Sequence, residues 1–237
     1  YGSRPILREG EEQTEGIAQE PERRSVRTMS ARRRKSSQRV VLLLCDGLRY
    51  DTALENFGYV NALVNAGNGI RLVGYADTPS VSKTCYETIH TGLPAIVHGI
   101  TSNLVPGKSR VANNLFKALT KSGRKTACVA SDWFYTLYGR HAEYDSGKHK
   151  ELTDAKGENI TYGRFFEAEE YPTCEVMQGG DYLVRHYTPD YVLLHAVTTD
   201  HQGHTHGISQ AYHNEAELID EQCGTYVPGW LELGYTV

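Results

Sequence analysis

An α/β fold, with a mainly parallel sheet and helices on both faces, follows from three features of the sequence. Short apolar runs at 40–45, 70–75, 125–130 and 191–197 alternate with longer amphipathic stretches, the pattern of strands joined by helical crossovers. Glycine falls just past the amphipathic stretches, in "NAGNG" and "KSGRK", where a left-handed cap suits it. Two of the apolar runs, "VVLLLCD" and "YVLLHAVTTD", end on an acid, at the carboxyl end of a strand, where open α/β sheets bind ligands.

In chain order, residues 1–39 hold "REGEEQTEG", "EPERRSVR" and "ARRRKSSQR" and are read as a disordered, charged leader with almost no apolar period. Met29 opens "MSARRRKSSQRVV", which resembles a translation start, and no signal peptide follows it because the apolar run is short and ends in Asp. The apolar run 40–45 is the first strand. Helices are expected over 54–66, 83–92 and 113–122, and strands over 70–75, 125–130 and 191–197. Residues 139–180 are polar and weakly periodic and are read as an insertion or lid over one edge of the sheet. The last helix spans 212–233, with Tyr212, Ala216, Ile219, Cys223, Tyr226 and Trp230 at spacings of three and four and a kink near Pro228. The remaining 40–237 segment thus forms one domain.

At 237 residues, 39% hydrophobic and 23% charged, the chain can build one sizeable core. A net charge of −4 argues against a general nucleic-acid binder, and no apolar run approaches the roughly 20 residues of a membrane span. The expected partner is a small molecule, and the sequence leaves the oligomeric state open. Cys45, Cys85, Cys128, Cys174 and Cys223 are odd in number and contain no C-x-x-C pair. Neither a disulfide framework nor a zinc knuckle is indicated, and a reducing, cytoplasmic location is expected.

Three motifs carry the chemistry. In "CDGLRYD", Asp46 ends the first strand, where its hard carboxylate suits a metal ion; Asp-Gly is also a common turn pair. In "DTPSVSKTCYETIHTGLPAIVHGITSN" (77–103), Ser82 opens a helix, where backbone N–H groups and the helix dipole face an oxyanion; such a serine is ordinarily an N-cap. In "YVLLHAVTTDHQGHTHG" (191–207), Asp200 and His204 have oxygen and nitrogen donors of the kind zinc takes, with His201 and His206 as bystanders. Arg49 and Lys83 flank the site, and Trp133, Tyr135 and Tyr138 are read as aromatic packing.

In this order the three motifs resemble the alkaline phosphatase superfamily, most closely its type I phosphodiesterase and nucleotide pyrophosphatase branch, over residues 40–237. The resemblance implies that Asp46 binds a metal, that Ser82, nine residues before the Thr of "TG", is the nucleophile, that Asn103 donates to a phosphoryl oxygen, and that Asp200 and His204 bind a second metal. Sulfatases carry a Cys at the nucleophile position followed by x-Pro-Ser-Arg; here Ser82 is followed by "KTCY", so a sulfatase is not expected. The implied activity is hydrolysis of phosphate esters, phosphodiester or pyrophosphate bonds and also monoesters, through a phosphoserine intermediate. Two divalent ions assist, zinc first, with manganese or iron compatible. The substrate is a small phosphate ester or nucleotide. A phosphonate hydrolase on the same core and a non-catalytic phosphate-binding relative are the alternatives. The resemblance also implies further metal ligands beyond Val237. The fold is therefore expected to be incomplete at its C-terminus, and this chain to show little zinc-dependent hydrolysis by itself.

Overall fold

A computed structural model describes residues 38–237 except 106, 141, 142 and 169; the leader reading for 1–37 lies outside the described residues. The first half of the chain runs β1 (Arg39–Cys45), α1 (Tyr50–Asn56), α2 (Gly58–Asn65), α3 (Ser82–Thr91), α4 (Ala95–His98), α5 (Leu115–Lys121), β2 (Thr126–Ser131) and α6 (Asp132–Tyr138). The second half runs α7 (Ser146–His149), β3 (Glu151–Leu152), β4 (Tyr162–Phe166), α8 (Thr173–Tyr187), β5 (Tyr191–Ala196), α9 (Thr198–His206), α10 (Gln210–Glu232) and β6 (Tyr235–Thr236). The six strands form one sheet in the order β3-β4-β2-β5-β1-β6. Every pairing is parallel except β3 with β4.

Both faces are covered, as expected, because the strands are apolar on both sides. Val129, Val192 and Leu194 point to one face and pack with Met177 and Val184 of α8 and Ile219 and Trp230 of α10. Cys128, Ala130 and Leu193 point to the other, against Tyr86 of α3, Phe116 of α5 and Phe134 of α6. The period-two alternation of a strand buried on both sides is thus filled by helices from two directions. Among the described residues no helix is long and apolar enough to cross a membrane.

Four expectations about the elements need correction. Residues 70–75 form no strand: Ile70, Leu72 and Tyr75 are 84–95% exposed and the segment is irregular. Strand preference expresses packing against a neighbouring strand, and no described strand lies beside this segment. Residues 139–180 are not simply a lid, since β3 and β4 extend the sheet and α8 begins at Thr173; Tyr162 and Phe165 are buried despite the polar residues around them. The leader reading ends one residue late, because Arg39 pairs with Tyr235 in the sheet.

The expected helix over 54–66 is two helices. Phe57, with extended backbone, ends α1 and precedes α2 and offers no side-chain cap. The cap comes from α10: the buried Asp220 carboxylate accepts Tyr59 N–H at 2.6 Å and Val60 N–H at 2.9 Å. Asp220→Ala strands two first-turn donors and is expected to lower stability by about 1–3 kcal/mol, with Asp220→Asn losing less; urea denaturation of the pair checks this.

His90 of α3 is buried, with Nδ1 2.8 Å from the Tyr86 carbonyl and Nε2 3.0 Å from the Tyr191 hydroxyl. Burial depresses its pKa to about 4. The unfolded chain, with an ordinary histidine near 6.5, takes up this proton first. The stabilisation is therefore complete above pH 6.5 and is lost as pH falls towards 4, by about 3 kcal/mol in total. His90→Gln should flatten that part of a plot of unfolding free energy against pH; an unchanged slope would contradict the assignment.

Candidate active site

The register Cys45↔Ala196 ends β1 and β5 at one level, and Asp46 N–H bonds the Ala196 carbonyl at 2.8 Å. The residues that follow β1, β2, β4 and β5 therefore converge at the carboxyl edge of the sheet, around a cavity of about 520 Å³.

The loop after β1 is held from two sides. Thr199 Oγ1 donates to the Asp46 carbonyl at 2.5 Å, and Tyr212 Oη of α10 donates to the Gly47 carbonyl at 2.6 Å while accepting Arg49 N–H at 2.8 Å. Gly47 adopts φ +65°, and a Cβ there would stand 2.5 Å from Asp200 Cα. The glycine of "CDG" is thus required twice, for the turn and for the close passage of Asp200.

Ser82 is the first residue of α3; Val81 is the residue before the helix, and it provides no side-chain cap. The serine hydroxyl donates instead to Asp46 Oδ2 at 3.1 Å. Asn103 comes to the same helix end, its Oδ1 accepting Lys83 N–H at 3.0 Å, which leaves its Nδ2 amide to donate. On the other wall Asp200 stands in the first turn of α9, with the exposed His204 imidazole 3.5 Å from its carboxylate; the i,i+4 spacing puts both on one helix face. All five residues expected from the sequence, Asp46, Ser82, Asn103, Asp200 and His204, line the one cavity.

Burial pushes the Asp46 carboxyl up, but His195 and the Tyr86 and Ser82 hydroxyls outweigh it and hold the carboxyl below its ordinary value. Asp200 is raised, by burial first and by the Asp46 charge second. Asp132 and Glu167 add two more acids to the wall, and no Lys or Arg among the described residues lines it. Lys83 is buried with its ammonium 5.0 Å from the Trp133 ring centre, and Arg49 pairs with Asp51 at 2.6 Å on the surface. An anionic substrate in such a cavity calls for bound cations. The donors fit divalent ions in type: Asp46 with Ser82, and Asp200 with His204. They fall short in number, because no group of three or more His, Cys, Asp or Glu among the described residues could hold an ion, and zinc sites take three or more protein ligands.

Sequence reasoning missed Tyr86 and His195. Tyr86 Oη stands 2.6 Å from Asp46 Oδ2 and 2.8 Å from His195 Nε2. Two signals could have found them: Tyr86 lies four residues after Ser82, on the same helix face, and His195 interrupts an otherwise apolar strand. Tyr135 and Tyr138 are fully buried, as expected for packing, whereas Trp133 lines the cavity.

No protein-family model and no curated protein matches the chain. Solved structures do. Phosphonoacetate hydrolase from Sinorhizobium meliloti 1021, in complex with phosphonoacetate, is 18% identical with a TM-score of 0.56, over 81% of this chain and 54% of that one. Murine ectonucleotide pyrophosphatase/phosphodiesterase 5 in complex with AMP is 16% identical with a TM-score of 0.58, over 81% of this chain and 52% of that one. Its human counterpart is 16% identical with a TM-score of 0.55, over 82% and 53%. The chain therefore spans about half the length of these solved proteins. The likeness is one of fold: the chain has the alkaline-phosphatase-like α/β architecture.

Proposed function

We propose that this chain carries the nucleophile half of a phosphoester hydrolase site, with Ser82 as nucleophile. The observation that carries the reading is the Ser82 hydroxyl, free of any capping duty and directed at the Asp46 carboxylate 3.1 Å away, in the cavity at the carboxyl ends of the strands. The fold it shares with a phosphonoacetate hydrolase and with a nucleotide pyrophosphatase/phosphodiesterase supports phosphorus chemistry at this place.

In the reaction, Ser82 Oγ attacks phosphorus as the ester P–O bond breaks. Asp46 Oδ2 accepts the hydrogen bond of the serine hydroxyl and aims it, and the serine proton passes through water to the leaving alkoxide. Water then cleaves the Oγ–P bond of the phosphoserine and restores the hydroxyl. Asn103 Nδ2 donates to a phosphoryl oxygen, and the positive end of α3 faces the same charge. Asp46 and Ser82 would hold one divalent ion and Asp200 and His204 a second, zinc or alternatively manganese or iron, which when bound neutralises phosphoryl charge. With two side-chain donors for each ion among the described residues, zinc binds this chain weakly, and turnover by the chain alone is slow.

The test is to incubate the chain with millimolar zinc and, separately, bis(p-nitrophenyl) phosphate, p-nitrophenyl phosphate, a dinucleotide and phosphonoacetate, following product release and the mass of the Ser82 peptide. Slow release with a phosphoryl adduct on Ser82 is expected, and Ser82→Ala should reduce both to background. Full activity in Ser82→Ala, or an adduct at another residue, would refute the assignment. Preference among the four substrates separates esterase from phosphonatase.

A further inference from the structure

We propose that Tyr171, His195 and Tyr86 form a one-directional hydrogen-bond chain that locks Asp46 Oδ2 opposite Ser82, which makes Tyr86 and His195 positioning residues for the Ser82 reaction. The catalytic part rests on the reading of Ser82 as nucleophile; the chain itself rests on geometry alone.

Tyr86 Oη has one proton and meets Asp46 Oδ2 at 2.6 Å and His195 Nε2 at 2.8 Å. The other imidazole nitrogen, Nδ1, meets the Tyr171 hydroxyl. Asp46 already accepts Gly47 N–H on Oδ1 at 3.0 Å and the Ser82 hydroxyl on Oδ2, and an ionised carboxylate has nothing to donate. The short contact with Tyr86 therefore contains the tyrosine's own proton. Nε2 must then bring a proton to the Tyr86 oxygen, which fixes the Nε2–H tautomer and leaves Nδ1 to accept from Tyr171. In this direction every contact along the chain has one donor and one acceptor. With the Nδ1–H tautomer, Nε2 and Asp46 would compete for one phenolic proton, and with that proton on the short Asp46 contact Nε2 would stay buried without a partner, at a cost of about 1–3 kcal/mol.

The surroundings make the chain rigid. Tyr86, Tyr171 and His195 are each at most 3% exposed. Phe134 stacks on Tyr86 at 4.5 Å and lies 5.0 Å from the His195 ring, and Phe166 stacks on Tyr171 at 4.3 Å. His195 pairs with Leu44 in the sheet, one step below the level at which Asp46 leaves β1, and Ser82 and Tyr86 project from one face of α3. With Oδ1 held by Gly47 and Oδ2 by Tyr86, the carboxylate is not free to turn away from Ser82. The arrangement also accounts for a histidine in the middle of an apolar strand.

The experiment has two arms. In the first, the chain is labelled with ¹⁵N-histidine and the His195 tautomer is read from ¹H–¹⁵N correlations at neutral pH. The Nε2–H form is expected, and the Nδ1–H form would overturn the proposal. Tyr171→Phe should leave the Nε2–H form in place, because Asp46 and Tyr86 fix it; a switch to the Nδ1–H form in that variant would also count against the chain. In the second arm, Tyr86→Phe keeps the stack on Phe134 and should slow formation of the Ser82 adduct about 10- to 100-fold, with folding checked by thermal unfolding. A wild-type rate in Tyr86→Phe, while Ser82→Ala abolishes the adduct, sinks the positioning role and leaves the nucleophile standing. Absence of a Ser82 adduct in the wild-type chain sinks the nucleophile reading and the catalytic role of Tyr86 with it, while the tautomer still decides the direction of the chain.

Discussion

Gly47→Ala is expected to destabilise the protein by about 2–5 kcal/mol and to move Asp200 away from Asp46. Two effects add. The residue sits at φ +65°, where a side chain costs roughly 1–2 kcal/mol, and its Cβ would meet Asp200 Cα at 2.5 Å and Asp200 N at 2.9 Å. Those contacts are backbone, so no rotamer change relieves them, and forced repacking of this kind costs about 1–3 kcal/mol. Gly92→Ala separates the two effects. Gly92 has nearly the same backbone, φ +69°, with nothing within 4 Å of the added carbon, so it should show the conformational part alone. Equal losses in urea denaturation for the two variants would mean that the passage of Asp200 against Gly47 is unimportant.

Trp230→Ala should be at least as damaging, at about 3–5 kcal/mol. The indole is fully buried between α8, α10 and the sheet, stacked beside Tyr226, and its Nε1–H donates to Asp181 Oδ1 at 3.0 Å. Removing it leaves a large cavity where the helices meet the strands. Trp230→Phe restores most of the volume and loses only the hydrogen bond; Asp181 keeps Arg185 at 2.8–2.9 Å, so this variant should lose only about 1–2 kcal/mol. A Phe variant as unstable as the Ala variant would show that the hydrogen bond, and not the packed volume, is what α10 needs.

Local patterns were enough for the parts of the molecule whose physics is local. The apolar runs at 40–45, 125–130 and 191–197 become β1, β2 and β5 within a residue at each end, because strands buried on both faces must be apolar throughout. The helices at 83–92, 113–122 and 212–233 become α3, α5 and α10, since amphipathic period and caps are encoded in neighbouring residues. Asp46, Ser82 and Asp200 were visible because each stands at a strand end or helix start, where its residue type is chemically informative; His204 followed from its spacing to Asp200, and Asn103 from the family resemblance.

What the tertiary structure decided is everything that depends on a partner distant in sequence. Whether 70–75 is a strand depends on a neighbouring backbone, which that segment lacks among the described residues. Whether 54–66 is one helix or two depended on Asp220, 160 residues beyond Val60, reaching back to cap α2. The polar stretch around β4 joined the sheet because β2 offered it a parallel partner over Ala127–Ser131. By itself the sequence determined the central strands, the long helices and the residue types of the site. Only folding determined that the Ser82 hydroxyl faces Asp46 instead of capping its own helix, and that Tyr86, His195 and Tyr171 line up behind that carboxylate, because hydrogen-bond direction is set by which groups burial brings within 3 Å of each other.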